Sequence, residues 1–282
     1  MRRSFDRAAA SFDAAAVLHA EIRQNLLERL KLTALQPRVV VDAGAGTGLG
    51  SRALKRRYPR ALVIALDSSH GMLHAAARQQ SWLRPVARLC ADAGGLPLKD
   101  RSIDLIVSNL MLQWCDPDEV FAEFRRVLAP QGLLSFSTFG PDTLRELRRA
   151  WAEVDSHSHV HDFIDMHDLG DALVRSGFAS PVLDVERITL KYLTVRAVAA
   201  DLKATGAGNA ARDRHKGLTT PRKFAAMQTA YEKFRQEGRL PATYEIVFAH
   251  AWAPMASTRR GNPQQSVPLE DIKRQLRARR GK

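Results

Sequence analysis

The sequence has little cysteine and no long apolar run, and both facts limit the classes of protein to which it can belong. Only Cys90 and Cys115 occur among 282 residues, and neither stands in a spacing typical of metal ligands. So few thiols are typical of a reduced compartment, and we expect a cytoplasmic protein. No stretch approaches the ~20 apolar residues that cross a bilayer, and the first residues lack the continuous apolar region of a signal peptide. We therefore expect no membrane span, no membrane partner and no signal peptide.

The sequence also lacks a histidine and cysteine cluster of the zinc type. His157, His159 and His161 alternate in a polar segment, but no cysteine or acid accompanies them at ligand spacing. Without such partners we interpret the segment as a loop, and we expect no metal site.

Two nucleotide-binding motifs are incomplete. The dinucleotide fingerprint G-x-G-x-x-G, counted from Gly44 and Gly46, requires a third glycine at the position that Leu49 occupies. The phosphate-binding P-loop requires a lysine after its last glycine, and the same segment has none. These departures weaken the case for a nicotinamide or triphosphate ligand.

What the sequence does contain is a glycine-rich turn between a predicted strand and a predicted helix. In residues 39–51, VVVDAGAGTGLGS, a β-branched run ends in Asp42 and is followed by Gly44, Gly46 and Gly48. Glycines allow positive φ and let backbone N–H groups approach a ligand without a Cβ in the way. The helix that begins near Leu49 directs its free amides to the same place. The segment therefore predicts a nucleotide-like ligand.

Polar side chains also end the next three predicted strands. Residues 61–67 end in Asp67, residues 86–92 end in Asp92, and residues 102–109 end in Asn109. In open α/β sheets, ligands bind at the carboxyl ends of the strands. An acid at the end of the second strand can accept both hydroxyls of a ribose. The repeated placement favours one ligand site over several unrelated turn residues.

Predicted strands and helices alternate along the chain, which is typical of a doubly wound sheet. Further strands are predicted at 132–139, 182–193 and 243–253, and helices at 14–33, 49–58, 69–80, 117–129, 143–154 and 166–178. We predict an α/β fold with a seven-stranded, mostly parallel sheet. The predicted divisions are a helical segment at 1–37, a sheet domain at 38–256 with a helical insertion at about 195–240 before the last strand, and a basic tail at 257–282.

The formal charge of +13 is unevenly distributed. From Ser257 onward there are eight basic residues and two acids, so this segment carries +6 of the total. Its prolines and low apolar content predict disorder, or a short basic helix after Pro268. A basic surface can meet nucleic acid, an anionic membrane or an acidic protein.

The spacing Asp-x-Gly-x-Gly-x-Gly from Asp42 to Gly48 resembles motif I of the class I S-adenosylmethionine-dependent methyltransferases. That resemblance implies a Rossmann-like methyltransferase fold with S-adenosyl-L-methionine as cofactor. The end of the fourth predicted strand, Ser108 and Asn109, lacks the [DNS]-P-P-[YFW] signature of base amino-methyltransferases, and no aromatic-rich basic strand of the RNA-binding type is present. We expect no nucleic-acid partner.

Longer segments make the resemblance narrower. The most specific are LQWC, TFGPDTLRELRRAW, LKATGA and GRLPATYE, together with the N-terminal FDRAAASFDAAAVLHAEI. These segments, over about residues 1 to 253, resemble the malonyl-acyl-carrier-protein O-methyltransferases that begin biotin synthesis, the BioC family.

The resemblance implies an enzyme that methylates the free carboxylate of a malonyl thioester on acyl carrier protein or coenzyme A. It implies acyl carrier protein as partner and places Asp92 and Ala93 at the adenine. The implied cofactor-binding residues are Asp42, Ala43, Gly44, Gly46, Gly48, Asp67, Ser68, Asp92, Ala93 and Asn109. A carboxylate with a pKa near ~4 is already ionised at neutral pH, so no general base is required.

The resemblance also makes the N-terminal segment a lid with residues 5–12 near the methyl group. Many family members carry a tyrosine where this chain has Phe12, so another group is expected to orient the malonyl carboxylate. The candidate positioning residues are Phe12, Gln113 and Trp114, and the candidate substrate-binding cations are Arg145 and Lys203. A basic mouth for the acidic carrier protein is expected from Arg145, Arg148 and Arg149, or from Arg212, Arg214 and Lys216.

Two alternatives stay open at this point. One is another small-molecule methyltransferase, acting on a quinone or a carboxylic acid, with the same cofactor site and a different lid. The other is a non-catalytic cofactor-binding protein whose basic tail binds nucleic acid.

Overall fold

A seven-stranded sheet forms the centre of the molecule. The computed structural model describes residues 2–205 and 220–255. The strands are β1 Val39–Ala43, β2 Leu62–Asp67, β3 Ala87–Cys90, β4 Ile103–Asn109, β5 Leu128–Phe139, β6 Ala179–Tyr192 and β7 Leu240–Trp252. Their order is β3-β2-β1-β4-β5-β7-β6, and β7 runs antiparallel to both of its neighbours, β5 and β6. The predicted α/β fold with a mostly parallel seven-stranded sheet is confirmed.

Helices cover both faces of this sheet. They are α1 Arg2–Ala8, α2 Phe12–Ala15, α3 Val17–Arg29, α4 Leu49–Arg57, α5 His70–Arg78, α6 Pro117–Val127, α7 Arg145–Ala152, α8 Met166–Arg175, α9 Val195–Ala204 and α10 Pro221–Glu232. No helix within residues 2–205 and 220–255 is long and apolar enough to cross a membrane.

The hydrophobic core has two halves because successive residues of a strand point to opposite faces of the sheet. Val40 of β1 packs with Ile22 and Leu26 of α3 on one face. Val41 packs with Phe121 and other apolar residues of α6 on the opposite face. The apolar face of α3 therefore holds the N-terminal helices against the sheet.

The order of the strands places a crevice beside β1. Its neighbours are β2 and β4, so the chain winds away from β1 in both directions. Ala43 pairs with Leu66 and with Ser108, and the carboxyl ends of all three strands lie at one edge. This topological switch point is where open α/β sheets bind ligands.

Several predicted boundaries were wrong at the N-terminus and around the last two strands. The single helix predicted at 14–33 is broken at Ala16, whose φ of −84° and ψ of 40° are not helical. β6 and β7 begin earlier than predicted, since Ala179 pairs with Trp252 and Tyr192 pairs with Leu240. Long-range pairing, which local periodicity does not contain, extends both strands.

Two predicted features lie outside the described residues. They are the basic tail at 257–282 and the part of the insertion that holds Arg212, Arg214 and Lys216. The described parts of the insertion are helices α9 and α10.

Candidate functional site

A cavity of about 500 Å³ lies at the carboxyl ends of β1, β2 and β4. Its floor includes Gly44, Gly46 and Asp67, and its walls include Asp92 and Asn109. The opposite wall includes Phe5 of α1, Phe12 of α2, His19 and Arg23 of α3, and Ala16 between α2 and α3. The strand-end residues of the sequence prediction therefore line one cavity, which the N-terminal helices cover.

The glycine turn forms the floor of this cavity. Gly44 has a φ of +75°, and a Cβ there would stand 2.5 Å from the Cβ of Met111. Gly46 has a φ of +54°, and no heavy atom lies within 4 Å of the position that its Cβ would take. A side chain at Gly46 would thus enter open space at the cavity floor. The floor fits a ligand that lies directly against the backbone.

Asp42 is buried beside this turn. Its carboxylate accepts a hydrogen bond of 2.5 Å from the Ser51 hydroxyl. Burial raises the pKa of Asp42 to about 6, while the Ser51 hydrogen bond and the charge of Arg23 act in the opposite direction. Arg23 is half-buried on the cavity wall. Asp42 and Arg23 thus place one acidic and one basic side chain at this end of the cavity.

Asp67 is held by the turn itself. Its Oδ2 accepts the Gly46 backbone N–H at 2.8 Å, and its Oδ1 accepts the Ser69 N–H at 2.8 Å. Burial raises the pKa of Asp67, and these two hydrogen bonds lower it. Each carboxylate oxygen retains a lone pair, so Asp67 can accept further hydrogen bonds from hydroxyl groups.

Asp92, after β3, and Asn109, at the end of β4, differ in how many hydrogen bonds their side chains already make within the chain. Asp92 and Ala93 line the cavity, and Asp92 Oδ1 accepts the Gly94 N–H at 2.9 Å. Asn109 also lines it, but its Nδ2 donates to the His19 carbonyl at 3.2 Å and its Oδ1 accepts from Ser137 at 2.9 Å. Asn109 therefore connects α3 to the sheet as well as lining the cavity.

The remaining candidates from the sequence fall into two groups. Those that line the large cavity are Ser68, Phe12, Gln113 and Trp114. Those that are not among its lining residues are Ala43, buried in β1, Gly48 at the start of α4, and the exposed Arg145 and Lys203. The structure thus brings together most of the predicted cofactor residues and leaves the two predicted cations outside.

Two aspartates attach the N-terminal helices to the cofactor side of the site. Asp6 accepts hydrogen bonds from the Ser69 hydroxyl at 2.6 Å and the Gly71 N–H at 2.9 Å. Asp13 accepts one from the Thr47 hydroxyl of the glycine turn at 2.5 Å. The helices that cover the cavity are therefore held through its own floor and rim.

A second cavity of about 70 Å³ adjoins the first. His19, Trp114, Phe139 and Thr205 line both. The wall of the small cavity is otherwise mainly apolar and includes Leu18, Leu144, Leu147, Val160, Phe163 and Leu202. The two cavities together form a large compartment that contains the charged side chains beside the glycine turn, next to a small one.

Sequence reasoning missed several residues of these walls, above all His19 and Arg23. Both lie on α3 and, with Ala16, follow one another at intervals of three and four residues. That spacing puts them on one face of a helix, which was the available signal. The prediction of one continuous helix from residue 14 did not show which face would meet the glycine turn.

The alternating histidines make separate contacts. His159 stacks on Trp151 with ring centroids 3.8 Å apart and bonds to Asp155 at 2.8 Å. His161 Nε2 lies 3.1 Å from the Gln113 carbonyl oxygen. Within the described ranges, no group of three or more potential ligands could hold a metal ion.

Comparison with known proteins agrees with this fold and site. A family model described as "Methyltransferase domain" matches residues 41–136, which span the glycine turn and the ends of β2, β3 and β4. The crystal structure of a putative methyltransferase from Bacillus halodurans is 18% identical, with a TM-score of 0.58, over 82% of this chain and 100% of that one. The fold is that of the class I methyltransferases.

Two curated relatives narrow the assignment. Both are named malonyl-[acyl-carrier protein] O-methyltransferase: one from Methylovorus sp. is 52% identical over 91% of this chain and 89% of its own length, and one from Laribacter hongkongensis is 51% identical over 92% and 91%. The chain belongs to the malonyl-[acyl-carrier protein] O-methyltransferase family. The predictions of an enzyme and of S-adenosylmethionine as its cofactor are confirmed with the family.

Proposed function

We propose that the chain transfers a methyl group from S-adenosylmethionine to the free carboxylate of malonyl-[acyl-carrier protein], and that the methyl ester enters biotin synthesis. The observation that supports this is the pair of adjoining cavities. The large one has the size and the acids for a nucleoside cofactor, and the small one has room for a short acyl group. The shared wall puts the two ligands next to each other.

We assign the cofactor contacts from the residues of the large cavity. Asp67 is placed to accept the ribose hydroxyls, and Asp92 with Ala93 to meet the adenine. Gly46 permits close approach of the ligand to the backbone. Arg23 and Asp42 carry the opposite charges that match the carboxylate and ammonium of an amino acid. When bound, S-adenosylmethionine supplies an electrophilic methyl group on a sulfonium ion.

The contribution of the chain to the reaction is positioning and exclusion of water. The malonyl carboxylate is ionised at neutral pH and is already a nucleophile, so no residue has to remove a proton. The rings of Phe5, Phe12, Trp114 and Phe139 line the cavity and shield it from water. Two reactants held in contact react faster than free ones because the loss of motion has already occurred on binding.

The N-terminal segment at 1–37 acts as a lid in this proposal. Its helices cover the cavity, and Asp6 and Asp13 hold it down, so the contacts of these aspartates break when the cofactor enters or leaves. The acidic carrier protein is the partner, and no nucleic acid or membrane takes part. The cytoplasmic location and the division into domains stay predictions.

Mass spectrometry of malonyl-[acyl-carrier protein] incubated with the enzyme and S-adenosylmethionine tests the function. We expect the mass gain of one methyl ester with the unchanged chain. Gly46→Ala places a methyl group at the cavity floor and is expected to abolish the gain. Gly238→Ala is the matched control, because Gly238 also has a positive φ, of +73°, and open space where its Cβ would stand, but it lies outside the residues that line the cavity.

The outcomes separate the alternatives. A chain that binds S-adenosylmethionine but leaves the malonyl group unmodified would contradict the assigned substrate. Methylation of a phenol in parallel assays would then favour the quinone-type alternative.

A further inference from the structure

His19 of α3 lies where the two cavities meet. Its ring lines both cavities, and its buried Nδ1 has no partner among the described residues. A buried polar group without a partner is costly unless a ligand completes it. The position of His19 therefore points to a ligand group at the junction.

The backbone of His19 is firmly placed. Its carbonyl oxygen accepts the Asn109 amide, which joins α3 to the end of β4. Its ring meets the ring of Phe12 edge to face, with centroids 5.4 Å apart. These two contacts position the imidazole at the junction of the two cavities.

We propose that His19 binds the free carboxylate of the malonyl group by donating an N–H hydrogen bond at the junction of the two cavities. The inference rests on the proposed function and names the group that orients its substrate. One carboxylate oxygen accepts this hydrogen bond, and the other keeps a free lone pair toward the large cavity. His19 is a substrate-positioning residue, and no proton is transferred to or from it.

The neutral form of His19 suits this role. Burial lowers the pKa of His19 to about 4, so the ring is uncharged near neutral pH. A neutral imidazole donates a hydrogen bond through one nitrogen but does not protonate a carboxylate. The carboxylate therefore stays nucleophilic while it is held. The ester product carries no charge and accepts a weaker hydrogen bond, which favours its release.

His161 is the competing candidate, and its contacts argue against it. Its Nδ1 is also buried without a partner in the described part of the chain. Its Nε2, however, lies 3.1 Å from the Gln113 carbonyl oxygen, which only accepts, so the ring hydrogen is on Nε2. His161 is therefore already engaged by a hydrogen bond within the chain. His161 also lines the small cavity and not the large one.

Steady-state kinetics of four variants test the proposal with malonyl-[acyl-carrier protein]. His19→Phe keeps a ring but removes the donor, and we expect kcat/KM to fall about 10- to 100-fold, the usual effect of losing a hydrogen bond to a charged group. His19→Gln retains an N–H donor and is expected to recover most of the activity.

Two other histidines serve for comparison. His161→Gln is expected to lose less kcat/KM than His19→Phe. His250→Gln is the control for removing another partly buried histidine, since His250 lies in β7 and lines neither cavity.

Binding measurements distinguish loss of the contact with the malonyl carboxylate from a general loss of structure at the site. By calorimetry, His19→Phe should bind S-adenosylhomocysteine as the unchanged chain does, which reports a folded cofactor site. It should also lose the preference for malonyl-[acyl-carrier protein] over its methyl ester. A His19→Phe enzyme with kcat/KM within threefold of the unchanged chain, or a larger loss in His161→Gln, would overturn the proposal. If the unchanged chain itself fails to methylate the malonyl group, the proposed function fails instead.

Discussion

Single residues at this site have pKa values that differ from those of the free amino acids, because the folded chain removes them from water. Asp42 is buried and His19 is partly buried, and desolvation raises the pKa of Asp42 to about 6 and lowers that of His19 to about 4. In each case the neutral form gains relative to the charged form. The two shifts have opposite consequences for stability, so a variant of one residue can separate them.

Replacing His19 should make the chain less sensitive to acid. The unfolded chain takes up a proton on this histidine near pH ~6.5, whereas the folded chain does so near pH 4. The unfolded state therefore binds more protons between these values, and the contribution of His19 to stability is lost as the pH falls from ~6.5 toward 4. The loss amounts to at most about 3 kcal/mol.

Denaturant unfolding at about pH 7 and about pH 5 measures this effect. The free energy of unfolding should fall less between these pH values in His19→Gln than in the unchanged chain. His74→Gln removes an exposed histidine and serves as the control. Equal pH dependence in all three proteins would show that His19 is already protonated, or solvated, in the folded state.

At the scale of elements, the N-terminal helices are where the sequence was least informative. Periodicity predicted one helix at 14–33, but the chain bends at Ala16 and places α1 and α2 over the cavity. The bend is held by contacts far along the chain, between Asp6 and Ser69 and between Asp13 and Thr47. Helical spacing contains no information about such partners.

Weakening these contacts should loosen the lid. Asp6→Ala and Asp13→Ala together remove the carboxylate acceptors that bond to α5 and to the glycine turn. We expect faster proteolytic cleavage within residues 2–29 and faster dissociation of S-adenosylhomocysteine in stopped-flow measurements, by about 10-fold or more, since hydrogen bonds to charged groups contribute about 1.5–3 kcal/mol.

The control for the lid variants is Asp118→Ala, which removes an exposed carboxylate paired with Arg175 on the helices α6 and α8. Its cleavage pattern and dissociation rate should match those of the unchanged chain. If the double variant behaves like this control, the N-terminal helices are held by their apolar packing on the sheet and not by the two aspartates.

For the molecule as a whole, the sequence predicted the sheet and the strand-end acids but not the small cavity. Asp67, Asp92 and Asn109 follow apolar runs, and parallel strands bring their ends together wherever the sheet forms. The small cavity instead lies between His19, Trp114, Leu147, His161 and Leu202, which are far apart in the chain. Only the packing of α3, α7 and α9 against the sheet brings these residues together.

The same packing changes the role that we expect for the basic residues of α7 and α9, from binding the substrate carboxylate to binding the carrier protein. Leu147 of α7 and Leu202 of α9 line the small cavity, while Arg145 and Arg149 of α7 and Lys203 of α9 are exposed. Cations around the site but outside its cavities suit an acidic protein partner better than a buried carboxylate.

Charge reversal should therefore act on the carrier protein and not on the chemistry. With Arg149→Glu and Lys203→Glu combined, we expect the KM for malonyl-[acyl-carrier protein] to rise about 10-fold at low salt and the difference to shrink as salt is added, because exposed charges are screened. The kcat, and the kinetics with carrier-free malonyl-pantetheine, should stay unchanged. Arg60→Glu alters an exposed charge just before β2, at the amino end of the strand and away from the cavity at the carboxyl ends, and should leave all of these constants as they are. An equal loss with malonyl-pantetheine would mean that the two cations act inside the site, and the carrier surface would then have to be sought elsewhere on the molecule.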